Sequence, residues 1–114
     1  MNSNIWITTE FPGKHQWLNA PEEVSFLRNL HRHLFKVRVE VKVKHSDRDV
    51  EFFILKGDVN RLLCNTLIPH LEKTPSMSCE MMGELIITEL VKQKYKVQSV
   101  EVSEDAENGA IVTP

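Results

Sequence analysis

Hydrophobic and polar residues alternate along one stretch of the chain more regularly than anywhere else, and this predicts a long β-strand over residues 31–44. From Phe35 to Val43 every second residue is apolar, and the residues between them are charged. Because neighbouring side chains of a strand point to opposite faces, the apolar set should be buried. His31 and His33 fall on the same face, at its rim.

Three other segments carry strand patterns. Ile5 to Phe11 alternates, and the pair Pro12 and Gly13 should end that strand. Val50 to Leu55 is apolar except for Glu51 and follows a polar stretch, so residues 31–55 are predicted to form a hairpin. A last strand should run from about Lys96 to Glu104, with Asn108 and Gly109 marking a turn after it.

Two helices are expected between the hairpin and the last strand. The first should open at Gly57 and Asp58, with Asp58 as its cap, and end at Pro69. Ser78 is a plausible cap for the second, and Glu80 lies in its first turn, where a negative charge is favourable. The resulting order of elements predicts an α+β domain, with two helices on one face of a four-stranded antiparallel sheet.

Composition narrows the possible functions only slightly. The chain has 114 residues, enough for one domain over residues 1–114, with 41% hydrophobic and 26% charged residues. A formal net charge of −2 gives no nucleic-acid signature. No apolar run approaches a membrane span, and the N-terminus lacks the form of a signal peptide. With only two cysteines, the cytoplasm is the simplest location.

The histidines carry the candidate chemistry. His15, His31 and His33 could supply three neutral nitrogen ligands, and zinc with an open fourth position is the metal that such a set favours. Equally, His31 and His33 could be core histidines whose hydrogen bonds are satisfied. Glu104 ends an apolar row of the last strand, where a carboxylate is costly unless another group pairs with it.

A histidine near the first strand, the His-x-His at residues 31–33 and the glutamate of the last strand together resemble one family. They are similar to 6-pyruvoyl-tetrahydropterin synthase and its bacterial relative, 6-carboxy-tetrahydropterin synthase of 7-deazaguanine (queuosine) biosynthesis. The resemblance covers about residues 15–112. It implies the tunnelling fold, or T-fold, in which subunits form trimers or hexamers, close their sheets into a barrel and build active sites between subunits.

The resemblance also assigns roles to individual residues. It makes His15, His31 and His33 the Zn²⁺ ligands and Glu104 the anchor of the pterin ring. The family's Pro-Thr-Ser/Thr-Glu motif matches residues 77–80, which places Ser78 and Glu80 against the substrate. The histidine of the family's catalytic Asp-His pair matches His70.

Several positions depart from the family pattern. Leu27 stands where the catalytic cysteine usually lies, and Cys79 is a candidate substitute. Pro69 replaces the aspartate of the Asp-His pair, and Arg32 replaces the glycine of His-Gly-His. Two hypotheses follow: a zinc-dependent synthase acting on 7,8-dihydroneopterin triphosphate, or a degenerate relative that binds zinc and a pterin or purine-like ring. A scaffold without ligand is a third, simpler alternative.

Overall fold

Residues 1–114 are described by a computed structural model, which has four antiparallel strands in the order β1-β2-β3-β4. The α+β class and the four-stranded sheet are confirmed. The strands are β1 (Ser3–His15), β2 (His31–Val43), β3 (Val97–Glu104) and β4 (Asn108–Val112). The helices are a 3₁₀ helix (Glu22–Arg28), α1 (Phe52–Leu62), a π-helical turn (Leu63–Leu67), α2 (Ile68–Lys73) and α3 (Cys79–Lys92).

The core lies between the helices and the apolar face of the sheet. Phe35, Val37, Val39 and Val41 are almost fully buried, as the alternation in β2 predicts. Burial of each such side chain stabilises the fold by about 1.5–3 kcal/mol. The buried side chains form one cluster of 21 residues that includes the inner faces of α1 and α3. No helix is both long enough and apolar enough to cross a bilayer.

The predicted break at Pro12 and Gly13 is wrong, because β1 continues to His15 in regular register with β2. Proline is tolerated here since β1 is an edge strand, where a missing N–H costs no ladder bond. Gly13 also suits the site, because a Cβ there would lie 3.1 Å from Leu71 Cδ2. The unbroken register places His15 directly opposite His31.

The predicted strand over Val50–Leu55, and with it the hairpin over residues 31–55, is also wrong. Residues from Phe52 onward belong to α1, whose N-terminus is capped by Glu51. The Glu51 carboxylate accepts hydrogen bonds from the backbone N–H groups of Phe53 and Ile54, at 2.9 and 3.1 Å. Helical spacing then buries Leu55, Val59 and Leu62.

The ends of the first predicted helix shift accordingly. Asp58 lies inside α1 and accepts a hydrogen bond from the Tyr95 hydroxyl instead of capping the helix. Pro69 lies in the first turn of α2 instead of ending α1, since the first turn of a helix needs no N–H from proline. The π-helical turn joins α1 to α2, so three α-helices stand where two were expected. The Ser78 cap is confirmed, because its hydroxyl accepts from the Met81 N–H at 3.1 Å.

The turn predicted at Asn108 and Gly109 is displaced. These residues begin β4, and the turn is formed by residues 104–107, closed by a hydrogen bond from Glu107 N–H to the Glu104 carbonyl at 2.9 Å. Asp105 and Ala106 adopt positive φ values of 54° and 59°. This tight turn places Asp105 at the end of the sheet that carries the histidines.

Candidate metal centre and adjoining cavity

Three strands end at one corner of the sheet and bring four potential metal ligands together there. His15 is the last residue of β1, His31 and His33 open β2, and Glu104 closes β3. One ligand atom from each of these residues lies within 4.8 Å of all the others. The three imidazole rings have centroids 4.6 to 5.2 Å apart. This cluster could hold a metal ion.

Each imidazole is oriented by a hydrogen bond on the side away from the cluster. His15 Nδ1 donates to the Met77 carbonyl at 2.9 Å, and His31 Nδ1 donates to the Asn29 carbonyl at 2.8 Å. His33 Nδ1 donates to Asp105 Oδ2 at 2.7 Å. Carbonyl and carboxylate oxygens only accept, so the proton sits on Nδ1 and the lone pair of Nε2 faces inward. Metal-ligating histidines are typically oriented in this way.

Two of the inward-facing imidazole nitrogens have no hydrogen-bond partner. His31 Nε2 and His33 Nε2 are buried and make no hydrogen bond. Glu104 Oε2 lies 2.9 Å from His15 Nε2 and 3.5 Å from His33 Nε2. In a neutral imidazole whose proton is on Nδ1, Nε2 is a hydrogen-bond acceptor, as the Glu104 carboxylate is. A cation is what such a set of converging lone pairs fits.

Two neighbouring pKa shifts agree with this arrangement. Burial lowers the pKa of His15, although the Met77 carbonyl and the Glu104 carboxylate act in the opposite direction. The neutral imidazole that results is the form that binds metals. Hydrogen bonds from the Leu34 N–H and then from His33 lower the pKa of Asp105, which keeps the orienting carboxylate ionised.

A cavity of about 560 Å³ opens beside the cluster. Its volume is in the range of sites that enclose small organic ligands. His15, His31 and Glu104 form part of its wall. The remainder of the wall comes from the segment after β1, the 3₁₀ helix, the N-terminus of α3 and the start of β4: Gln16, Trp17, Leu27, Ser76, Met77, Ser78, Cys79, Glu80, Met81, Asn108 and Gly109.

The residues predicted from the second helix do reach this cavity. Ser78 caps α3 and is half-buried, and Glu80 in the first turn is exposed. Cys79 is buried, and burial raises its pKa to about 12, with further contributions from the Glu104 and Glu80 carboxylates. Cys79 is therefore a neutral thiol near pH 7.

His70 is not brought to the cavity within one chain. It is exposed on α2 and does not belong to the cavity wall. Leu27 does line the cavity, from the 3₁₀ helix. An apolar side chain thus faces the cavity at the position where the resemblance leads one to expect a catalytic cysteine.

The groups that orient the histidines were missed by the sequence interpretation. Two are backbone carbonyls, of Asn29 and Met77, and no residue pattern marks a carbonyl that accepts from a side chain. The third is Asp105, to which the sequence analysis assigns no role. Its only signal in the sequence is its position directly after Glu104.

An α+β fold with three histidines and a carboxylate converging at one end of its sheet defines a candidate metalloprotein. Residues 4–114 match the family described as 6-pyruvoyl tetrahydropterin synthase, and the chain belongs to this family. Family membership implies the T-fold, and members of the family are lyases.

The fold also resembles a solved structure. It is similar to the crystal structure of the uncharacterized protein WS1659 from Wolinella succinogenes, with a TM-score of 0.72 and 17% sequence identity. The similarity covers 99% of this chain and 98% of that one. At this identity the likeness shows the fold alone. No curated protein matches the chain.

Proposed function

We propose that this chain is a zinc-dependent 6-carboxy-tetrahydropterin or 6-pyruvoyl-tetrahydropterin synthase that acts on 7,8-dihydroneopterin triphosphate. Its pathway would be 7-deazaguanine (queuosine) synthesis. Family membership supports the pterin-type substrate. The observation that carries the proposal is the convergence of His15, His31, His33 and Glu104, with two buried imidazole nitrogens left without partners.

Zn²⁺ would be held by the Nε2 atoms of His15, His31 and His33. Three neutral nitrogens with a free fourth position are typical of a catalytic zinc site. When bound, the zinc ion would lower the pKa of the substrate's side-chain hydroxyl groups and so favour loss of a proton from the adjacent carbon. The hydrogen bonds on Nδ1 keep the three imidazoles oriented for this role.

Glu104 is proposed to anchor the pterin ring, because a carboxylate can accept two hydrogen bonds from its guanidine-like edge. In the structure Oε1 accepts from Asn108 Nδ2 at 2.8 Å, while Oε2 faces His15 and His33. Binding of the ring therefore requires that Glu104 exchange at least one of these contacts. Ser78 and Glu80 line the same cavity and are proposed as further substrate contacts.

Proton transfer is assigned to Cys79 and His70. A thiol with a pKa of about 12 is protonated near pH 7, so Cys79 is proposed as an acid and not as a base, and as a weak acid because efficient proton donors have pKa values near the operating pH. His70 lies outside the cavity of its own chain and would have to serve a neighbouring subunit. This assignment requires an oligomer with sites between subunits.

The proposed assembly is a trimer or a hexamer of single T-fold domains, each spanning residues 1–114. β1 and β4 are the two edges of the sheet in one chain, and β1 has 13 residues. Long edge strands invite pairing with another chain, and closure into a barrel would satisfy both edges. Both cysteines are free thiols, which is compatible with the cytoplasm proposed for the protein.

A degenerate relative that binds zinc and a pterin or purine-like ring is the second candidate function. Two substitutions favour it: Leu27 lines the cavity in place of a cysteine, and Pro69 precedes His70 in place of an aspartate. The metal and ring contacts do not depend on either position. Binding without turnover is the behaviour that this alternative predicts.

The decisive experiment combines metal analysis with an activity assay. We expect about one zinc per chain after purification, and a tetrahydropterin product from 7,8-dihydroneopterin triphosphate. His31→Ala should remove both the zinc and the product. His45→Ala is the matched control, because His45 is exposed in the turn after β2 and its ring contacts only the neighbouring Asp47 and Asp49.

Each alternative has its own outcome in that experiment. Zinc without product would favour the binding protein over the enzyme. A purified chain that contains no zinc and takes up none when it is supplied would remove the metal site, and both candidate functions with it.

A further inference from the structure

We propose that Asp105 is a positioning residue, which fixes the tautomer and the orientation of His33 so that His33 Nε2 can bind a metal. This inference rests on the proposed function, because it assumes that the three-histidine cluster is a metal site. It adds to that site a residue to which the sequence analysis assigns no role.

Asp105 makes two hydrogen bonds, one with each oxygen of its carboxylate. Oδ2 accepts from His33 Nδ1 at 2.7 Å, and Oδ1 accepts from the Leu34 N–H at 2.9 Å. The carboxylate therefore holds the imidazole and the backbone of the next residue at the same time. A side chain held at two points leaves His33 little freedom to rotate.

His33 differs from the other two histidines in the kind of group that orients it. His15 and His31 donate to backbone carbonyls, which no substitution at the accepting residue removes. His33 alone depends on a side chain. Outer hydrogen-bond partners of this kind typically contribute 10- to 100-fold to metal affinity, because they select the tautomer and the ring angle.

The turn supports a clean test of the proposal. Asp105 has a φ of 54°, in the left-handed region that asparagine occupies readily. Asp105→Asn should therefore leave the turn intact while changing one oxygen into an amide nitrogen. The remaining oxygen can serve either the Leu34 N–H or His33 Nδ1, but not both.

In the first of these two arrangements the amide disturbs His33 and not the other histidines. If the oxygen stays on the Leu34 N–H, the NH₂ group faces His33 Nδ1, and two donors oppose each other. His33 then shifts its proton from Nδ1 to Nε2, which blocks the lone pair that would bind the metal. His15 and His31 keep their carbonyl partners and their tautomers.

The experiment compares the wild type with Asp105→Asn and Glu107→Gln. Glu107 is an exposed carboxylate in the same turn whose side chain contacts none of the histidines, so Glu107→Gln controls for the loss of one negative charge. Zinc affinity is measured by competition with a chromophoric chelator at fixed pH. Histidine tautomers are read from ¹⁵N chemical shifts of the zinc-free proteins. Urea unfolding checks that each variant is folded.

We expect Asp105→Asn to weaken zinc binding by about 10- to 100-fold and to move the His33 proton to Nε2. We expect Glu107→Gln to do neither. An Asp105→Asn variant that binds zinc as tightly as the wild type, or a Glu107→Gln variant that loses as much affinity, would overturn the inference while leaving the metal site standing. If the wild type binds no zinc, the proposed function fails. The ¹⁵N tautomer comparison then still decides whether Asp105 positions His33.

Discussion

The two walls of the cavity differ in the functional groups that they contain. On the histidine wall, the ends of β1, β2 and β3 bring four ligand atoms within 4.8 Å of one another, and every imidazole has an outer hydrogen-bond partner. The second wall, formed by the 3₁₀ helix and the start of α3, contains the apolar Leu27 and Cys79, a neutral thiol with a pKa of about 12. Ligand binding is thus prepared within one chain, and proton transfer is not.

The difference follows from the elements that carry each wall. Strand register fixes the histidines, because His15 pairs with His31, and His33 follows two residues later on the same face. The second wall is built from a 3₁₀ helix and the first turn of α3, which lie outside the sheet. We therefore expect substitutions in the two walls to affect the proposed metal binding and the proposed catalysis separately.

The largest expected effect comes from adding a thiol to the second wall of the cavity. Leu27→Cys places a cysteine in the cavity at the position where the resemblance leads one to expect the catalytic cysteine, and general acid-base catalysis typically contributes about 10²- to 10⁴-fold. We expect turnover of 7,8-dihydroneopterin triphosphate by the zinc-loaded protein to rise by that order.

Leu18→Cys provides the control, since Leu18 is exposed nearby but is not part of the cavity wall. It should leave turnover unchanged. An equal rise in both variants would mean that the added thiol acts from solution. No rise in Leu27→Cys would show that another residue already supplies the proton transfer or that the chain does not catalyse the reaction.

The two native cysteines should differ strongly in reactivity. Cys64 is exposed, whereas Cys79 is buried and has a pKa of about 12. At pH 7.5 fewer than about one Cys79 thiol in 10⁴ is ionised, and only the thiolate is nucleophilic. We expect iodoacetamide to modify Cys64 completely before Cys79 reacts, as measured by peptide mass spectrometry.

The same reaction in guanidinium chloride should modify both cysteines, which controls for reagent and detection. If Cys79 of the native protein reacts as fast as Cys64, it carries a thiolate. It would then be suited to act as a base, and the two walls would be more alike than the structure indicates.

The smallest expected effect concerns the α3 cap beside the cavity. Ser78→Ala removes the hydrogen bond from the Met81 N–H and should lower the free energy of unfolding by about 1 kcal/mol. Ser76→Ala is the matched control, because Ser76 lines the same cavity but caps no helix. Urea unfolding compares the two, and equal stability of the two variants would contradict the capping role.

Much of the histidine wall could be predicted because its signals are local. The period-two pattern of β2 places His31 and His33 on the buried face, and the structure puts both there, with His33 against Phe35 and His31 against His33. His15 could be proposed as a third ligand from its residue type, but the predicted break at Pro12 and Gly13 would have separated it from the sheet. The register that places His15 opposite His31 depends on the continuation of β1 past the proline.

The predictions are wrong where a helix cap or a tight turn outweighs the hydrophobic pattern. Phe52, Phe53 and Ile54 resemble a strand, yet all three are exposed in the first turn of α1, which begins because Glu51 caps it. The turn after β3 places Ala106 at positive φ, a conformation that an alanine in the sequence does not indicate. Without that turn, the contact between Asp105 and His33 could not be foreseen.

The meeting of three strand termini at the metal centre also has a consequence for local unfolding. Strand ends normally fray, and their amide hydrogens exchange with solvent faster than those of the core. A cation bound by His15, His31 and His33 would join two of these ends, so neither could open without releasing it. At a free metal concentration about 1,000 times Kd, this linkage adds about 4 kcal/mol to the cost of opening. The most easily opened corner of the sheet would then become one of its most slowly exchanging parts.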